Sequence, residues 1–239
     1  MTEERYIDRD LSWLSFNGRV LQEAARPEVP LLERLRFLSI YSSNLDEFYR
    51  VRIPALMALQ QASPASEPSP PLTQVSATIQ GQQEQFGSIL RGQLLPLLEQ
   101  HGIHWYYDLP LPEQLYPYLH DYFLDRVAAY LQVIRLGQHP HFFPGNNQIY
   151  LLLATSDAQQ ELVIVPIPAS ECGRFYTRNK EGEQWIFFLD DIIRANTRYL
   201  LPGTEINGCY SFKVTRDAEL HLADEMDGDL AEKIEGIII

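Results

Sequence analysis

The sequence changes periodicity once, near His101-Gly102, and that change limits the folds open to it. Before this point apolar residues return every three or four positions, the spacing of helices that bury one face. After it come short apolar runs such as "QIYLLLA" and "ELVIVPI", bounded by turn residues, which read as strands. The expected architecture is an all-α unit over residues 1–103 followed by an α+β unit over residues 104–239. The second unit should carry a mixed or mostly antiparallel sheet with helices packed on it.

Within the first unit, Asp10 or Ser12 is expected to cap a helix that buries Leu14, Leu21 and Ala25, with Trp13, Phe16 and Val20 beside them. Pro27 should end it, because the residue before a proline is pushed out of helical conformation. A second helix follows Pro30, and "NLDEFYRVRIPALMALQ" reads as another helix, bent or interrupted near Pro54. The proline-rich "SPASEPSPPLT", residues 63–73, reads as an exposed loop, and helical spacing then runs to about Leu98 with a kink at Pro96. In the second unit a short strand at "IHWYY" precedes a helix carrying Leu115 to Ile134, and "RFYTR" should pair with "WIFFL" across "NKEGEQ". "DDIIRANTRYL" reads as a helix, "CYSFKVTR" as a strand, and a further helix is expected from Asp217. The acidic "LHLADEMDGDLAEKIEGIII" has no closing element after it and reads as the cut end of a longer protein.

The net charge of −13 argues against nucleic acid and other polyanions as direct partners. Eight of the 19 basic residues fall within the first 52, but nine acids share that stretch, so it is balanced rather than a basic arm. Cys172 and Cys209 are far apart and lack metal spacing, which favours two reduced, partly buried thiols. The N-terminus has no signal-peptide pattern, and the longest aliphatic runs are too short to span a bilayer. A cytoplasmic protein without a transmembrane segment is expected.

Asn44 and Glu47 stand in an N-x-x-E pattern that resembles a capping box. Capping is the ordinary explanation, but it uses only the amide oxygen and leaves two N–H donors, so a ligand contact is compatible with it. Arg50 and Arg52 read either as a phosphate clamp or, more commonly, as partners of Asp46 or Glu47. His139 and His141 flank Pro140 with no third ligand nearby, so a loop is favoured over a metal site. "DEMDGD" fails the ligand pattern of a calcium loop. No P-loop, dinucleotide fingerprint, nucleophile elbow or zincin motif is present, and no residue is assigned a catalytic or metal-binding role.

The strings "YIDRDLSWLSFNGRVLQEA", "PLLERLRFLSIYSSNLDEFYRVR", "WIFFLDDIIRANTRYLLPG" and "FKVTRDAEL" resemble the N-terminal part of the bacterial type 1 polyphosphate kinase family. The match is anchored at both ends and is weak across residues 60–135. The resemblance implies an enzyme that moves the γ-phosphate of ATP reversibly to inorganic polyphosphate through a phosphohistidine, with ATP or ADP as substrate and Mg2+ required. It places that histidine, the Mg2+ ligands and the basic polyphosphate tunnel in domains outside this chain, so none of the six histidines here is catalytic. It implies that residues 1–103 cover the nucleotide pocket and that Asn44 contacts the nucleotide. It also implies that the head domain, 104–239, mediates homo-oligomerisation, and that the enzyme is cytoplasmic, with peripheral membrane association allowed. The alternative is a stand-alone interaction module built from the same two domains, without catalysis. The sequence downstream of Ile239 separates the two.

Overall fold

The computed structural model describes residues 8–62, 70–107, 111–156 and 161–216, and the chain divides into two compact units after Gly102. The first helix, α1 (Arg9–Ala25), is capped by Asp8, whose carboxylate accepts from the Leu11 N–H at 2.9 Å. The expected cap, Asp10, is instead buried, as are Leu14, Asn17, Leu21 and Ala24. Phe16, expected beside the buried face, is 55% exposed. Arg26, just before Pro27, is extended and ends the helix.

The second helix, α2 (Leu31–Ala62), is one uninterrupted element of 32 residues. Its buried residues Arg34, Leu38, Tyr41, Leu45, Phe48 and Leu56 keep four-three spacing through Ser42–Asn44, so no helix starts there. Nor does Pro54 break it: the proline only deprives the Arg50 carbonyl of its helical donor. Residues 63–69 of the proline-rich segment lie outside the described residues, and Pro70 already opens α3 (Pro70–Ile89), where a missing N–H costs nothing. A π-helical turn at Leu90–Leu94 joins α3 to α4 (Leu95–Gln100). Pro96 cannot donate, and the ladder just before it widens, with the Leu95 N–H reaching back five residues to the Leu90 carbonyl. Gly102, at φ +72°, stops the helix with its N–H on the Glu99 carbonyl. Val75, Ile79 and Ile89 of α3 complete a core with the buried faces of α1 and α2.

The second unit is α+β. Its elements are β1 (Ile103–Tyr106), α5 (Tyr116–Tyr122), β2 (Ile134–Arg135), β3 (Ile149–Thr155), β4 (Leu162–Pro166), α6 (Ala169–Cys172), β5 (Phe175–Lys180), β6 (Glu183–Phe188), α7 (Leu189–Ala195) and β7 (Ile206–Lys213). They form two sheets rather than one: β1-β6-β5 and β2-β4-β3-β7. β1 and β6 are parallel; every other pair is antiparallel. The helix after Leu115 is shorter than expected. It passes through a π turn at Phe123–Val127 and a 3-10 turn at Ala128–Tyr130, leaving Ile134 to β2. Glu181 and Gly182, both at positive φ, make the tight β5–β6 turn.

Leu151 and Leu153 of β3 face one core, with Leu119, Phe123, Phe187 and Ile192. Tyr150 and Leu152 face another, with Leu136 and Ile164. Burial on both faces explains why these strands read as unbroken apolar runs rather than alternating ones. The two runs are thus covered within their own unit. The helix expected from Asp217 lies outside the described residues. Among the described helices none is long and apolar enough to cross a membrane.

Candidate functional site

Three helices with a four-three burial pattern make apolar seams, yet the seams of the first unit carry polar residues: Asp10 and Asn17 on α1, Arg34 and Arg52 on α2, and Gln82 on α3. A polar group taken from water must find a partner, and each of these does so across the bundle. Arg52 donates to both oxygens of Asp10, at 2.7 and 2.9 Å. Gln82 Nε2 donates to the Leu14 carbonyl at 2.9 Å. Arg34 donates to the Ala24 carbonyl at 2.7 Å and also to Gln93. Asn17 uses both ends of its amide: Nδ2 donates to the Tyr41 carbonyl at 3.2 Å, and Oδ1 accepts from Asn44 Nδ2 at 3.0 Å.

Asn44 is therefore not a cap. Thirteen residues into α2, its backbone groups belong to the helical ladder and its side chain to Asn17. The capping-box reading of Asn44 and Glu47 fails because the turn before it is already helix. Glu47 instead pairs with Arg50 at 3.1 Å, one of the two outcomes expected for that arginine. Arg52 takes Asp10, a partner 42 residues away, in place of Asp46 or Glu47.

Asn44 is half-buried and gives one Nδ2 hydrogen to Asn17; the second hydrogen and Oδ1 remain for another partner. One turn further along α2 a cavity of about 280 Å³ opens between α1 and α2, lined by Arg9, Asp10, Trp13, Glu47, Phe48, Val51 and Arg52. The Trp13 and Phe48 rings stack there with centroids 4.9 Å apart. The hydrogen bonds from Arg52 hold the Asp10 carboxyl below the ordinary aspartate range, against the opposing effect of burial. Burial pushes the Tyr41 phenol up to about 12. The cluster contains no nucleophile paired with a base. It can bind and orient, but not carry a covalent step.

The second unit holds its own polar cluster. Arg174 pairs with Asp190, Arg194 lies 3.3 Å from Asp191, and Ser211 donates to Asp190 at 3.2 Å. Each buried carboxylate has an arginine, which makes this an internal brace. His139 and His141 lie in irregular chain between β2 and β3, and among the described residues no group of His, Cys, Asp and Glu is gathered as a metal site. Cys172 and Cys209 are unpaired, and burial raises both thiols. Asn17 went unremarked in the sequence. Its only signal is an amide at the seam position between Leu14 and Leu21.

The chain is thus a helical unit with a buried polar seam, followed by an α+β unit with two small sheets. Residues 6–106 match the polyphosphate kinase N-terminal domain and residues 116–238 the polyphosphate kinase middle domain. The chain belongs to the polyphosphate kinase family. It is 35% identical to a polyphosphate kinase of Thermosynechococcus vestitus, over 96% of this chain and 34% of that protein. It is 33% identical to one of Pseudomonas syringae pv. tomato, over 97% and 33% respectively. The crystal structure of the Porphyromonas gingivalis polyphosphate kinase superposes with a TM-score of 0.82 at 32% identity, covering 92% of this chain and 34% of that one. The chain thus spans about a third of the length of the curated relatives it matches.

Proposed function

We propose that this chain supplies the nucleotide-covering helical domain, 1–103, and the head domain, 104–239, of a polyphosphate kinase. The enzyme transfers the γ-phosphate of ATP reversibly to inorganic polyphosphate, through a phosphohistidine and Mg2+ held by residues outside this chain. The helical domain closes over the nucleotide, and Asn44 donates its second Nδ2 hydrogen to it. Homo-oligomerisation through the head domain and a cytoplasmic setting, with peripheral membrane association, complete the reading. Both rest on the family resemblance. The observation that carries the reading is the half-buried amide of Asn44, which spends one Nδ2 hydrogen on Asn17 and has a second to give. A mid-helix asparagine has no capping duty, and the bond to Asn17 occupies only one of its two Nδ2 hydrogens, so the amide can serve the bundle and a ligand together.

The test is made in the complete enzyme, with the histidine domains present. Loss of one hydrogen bond to the nucleotide is worth about 0.5–1.5 kcal/mol. Asn44→Ala should therefore raise the KM for ATP about three- to tenfold, with kcat little changed. Asn44→Asp loses both donors and sets a negative charge near the anionic nucleotide, so its KM should rise further. Both variants should fold but lose about 1–3 kcal/mol of stability, because each leaves the buried Asn17 Oδ1 without its donor. An unchanged ATP KM in both variants refutes the contact.

A further inference from the structure

We propose that Asn17 is the positioning residue for Asn44, setting which part of that amide faces the nucleotide. The proposal rests on the Asn44 contact set out above. Asn17 is fully buried on α1, so no ligand touches it. Both of its hydrogen bonds grip one turn of α2, since Tyr41 precedes Asn44 by three residues. The Tyr41 carbonyl accepts only, so it claims the NH2 end of Asn17 and turns Oδ1 toward Asn44. An acceptor there can be met only by the NH2 end of Asn44. Two amides that could each sit either way round are thereby held in one arrangement. Asn44 keeps one donor hydrogen and its Oδ1 for the ligand.

A buried amide in a helix seam also has an ordinary use, fixing the register of a bundle. The Tyr41 bond alone would serve that purpose, for it joins α1 to the backbone of α2. The bond to Asn44 adds nothing to register that the first does not supply, but it removes the rotational freedom of a half-exposed side chain before ligand arrives. Such freedom, lost on binding instead, weakens binding by about three- to tenfold per side chain.

The test is a double-mutant cycle in the complete enzyme, read as KM for ATP against kcat. Asn17→Ala should raise the ATP KM about three- to tenfold with kcat within about twofold. Because Asn17 acts only through Asn44, the Asn17→Ala/Asn44→Ala double variant should match Asn44→Ala alone. A KM that rises in Asn44→Ala but not in Asn17→Ala overturns the positioning role. So do fold-changes that multiply in the double variant. If Asn44→Ala leaves the ATP KM unchanged, the nucleotide contact itself fails, and the role of Asn17 toward it fails as well. Should Asn17→Ala not fold, the 15N-labelled wild-type chain still decides. One Nδ2 proton of Asn44 should exchange with solvent more slowly than its geminal partner, and equal, rapid exchange of the two overturns the proposal.

Discussion

Removing Arg52 should loosen the helical unit far more than a surface arginine would. Its side chain is 28% exposed and that of Asp10 only 9%, and the two charge-assisted hydrogen bonds tie the start of α1 to the middle of α2. In Arg52→Ala the Asp10 carboxylate stays buried, with Arg9 at 3.9 Å as its remaining cation. Breaking a fully buried pair costs about 3–5 kcal/mol, and breaking an exposed one about 0–1. The partial burial of this pair gives about 2–3 kcal/mol, or a drop of roughly 10–20 °C in the melting of a unit of this size. The Asp10 carboxyl is depressed in the folded state, so its contribution is present above the unfolded aspartate pKa of about 3.9. It is lost as pH falls through the lower, folded value. The gap between Arg52→Ala and wild type should therefore be full at neutral pH and shrink in acid. Helix melting followed by circular dichroism at about pH 7 and about pH 3 reads both effects. The double variant Asp10→Asn/Arg52→Gln, which keeps hydrogen bonds without a stranded charge, should be less destabilised than Arg52→Ala. A melting temperature for Arg52→Ala within about 2 °C of wild type at neutral pH, or a gap that persists undiminished in acid, refutes the reasoning.

Two further substitutions probe the packing. The Tyr41 hydroxyl is buried without a hydrogen-bond partner, so Tyr41→Phe should be neutral or stabilising by up to about 1 kcal/mol in urea unfolding; a clear loss of stability would show that the hydroxyl is satisfied after all. Gly182 sits at φ +86° with nothing within 4 Å of an added Cβ, so Gly182→Ala should cost about 1 kcal/mol from backbone conformation alone. Gly182→Asn should recover part of that, and equal midpoints for all three proteins would rule out a positive-φ requirement at this turn.

Much of this architecture could be read from the residues themselves. The switch of period after Gly102, the break at Pro27 and the β5–β6 hairpin all depend on local chemistry that acts within a few positions. What stayed hidden depended on distance or on competition between signals. "SSN" followed by Glu47 imitates a helix start, but Leu38, Tyr41, Leu45 and Phe48 keep one buried face across it, and packing of that face prevails over capping preference. Pro54 was expected to interrupt a helix that tertiary packing sustains. Asp10 lay close to the true cap, Asp8, and only the position of Arg52, 42 residues on, explains its burial. Asn17 meets Asn44 across 27 residues, a separation at which spacing carries no information. Two sheets in place of one follow from side-chain layers that a strand pattern does not distinguish.

The unbroken course of α2 through Asn44 has a bearing on how this family can change. At a helix cap, every alternative side chain would be screened first by its effect on folding. Within a continuous helix the backbone is satisfied by its own ladder, so the constraint on position 44 comes from its side-chain bond to the buried Asn17 Oδ1 and not from the start of a helix. Natural variation and laboratory selection can therefore change position 44 freely only where the new side chain still donates to Asn17, and otherwise at the cost of one hydrogen bond. Position 17, enclosed on all sides, has no such latitude. A library that diversifies residue 44 while holding Asn17 should yield mostly folded proteins of graded stability, whereas one that diversifies residue 17 should yield mostly unfolded ones.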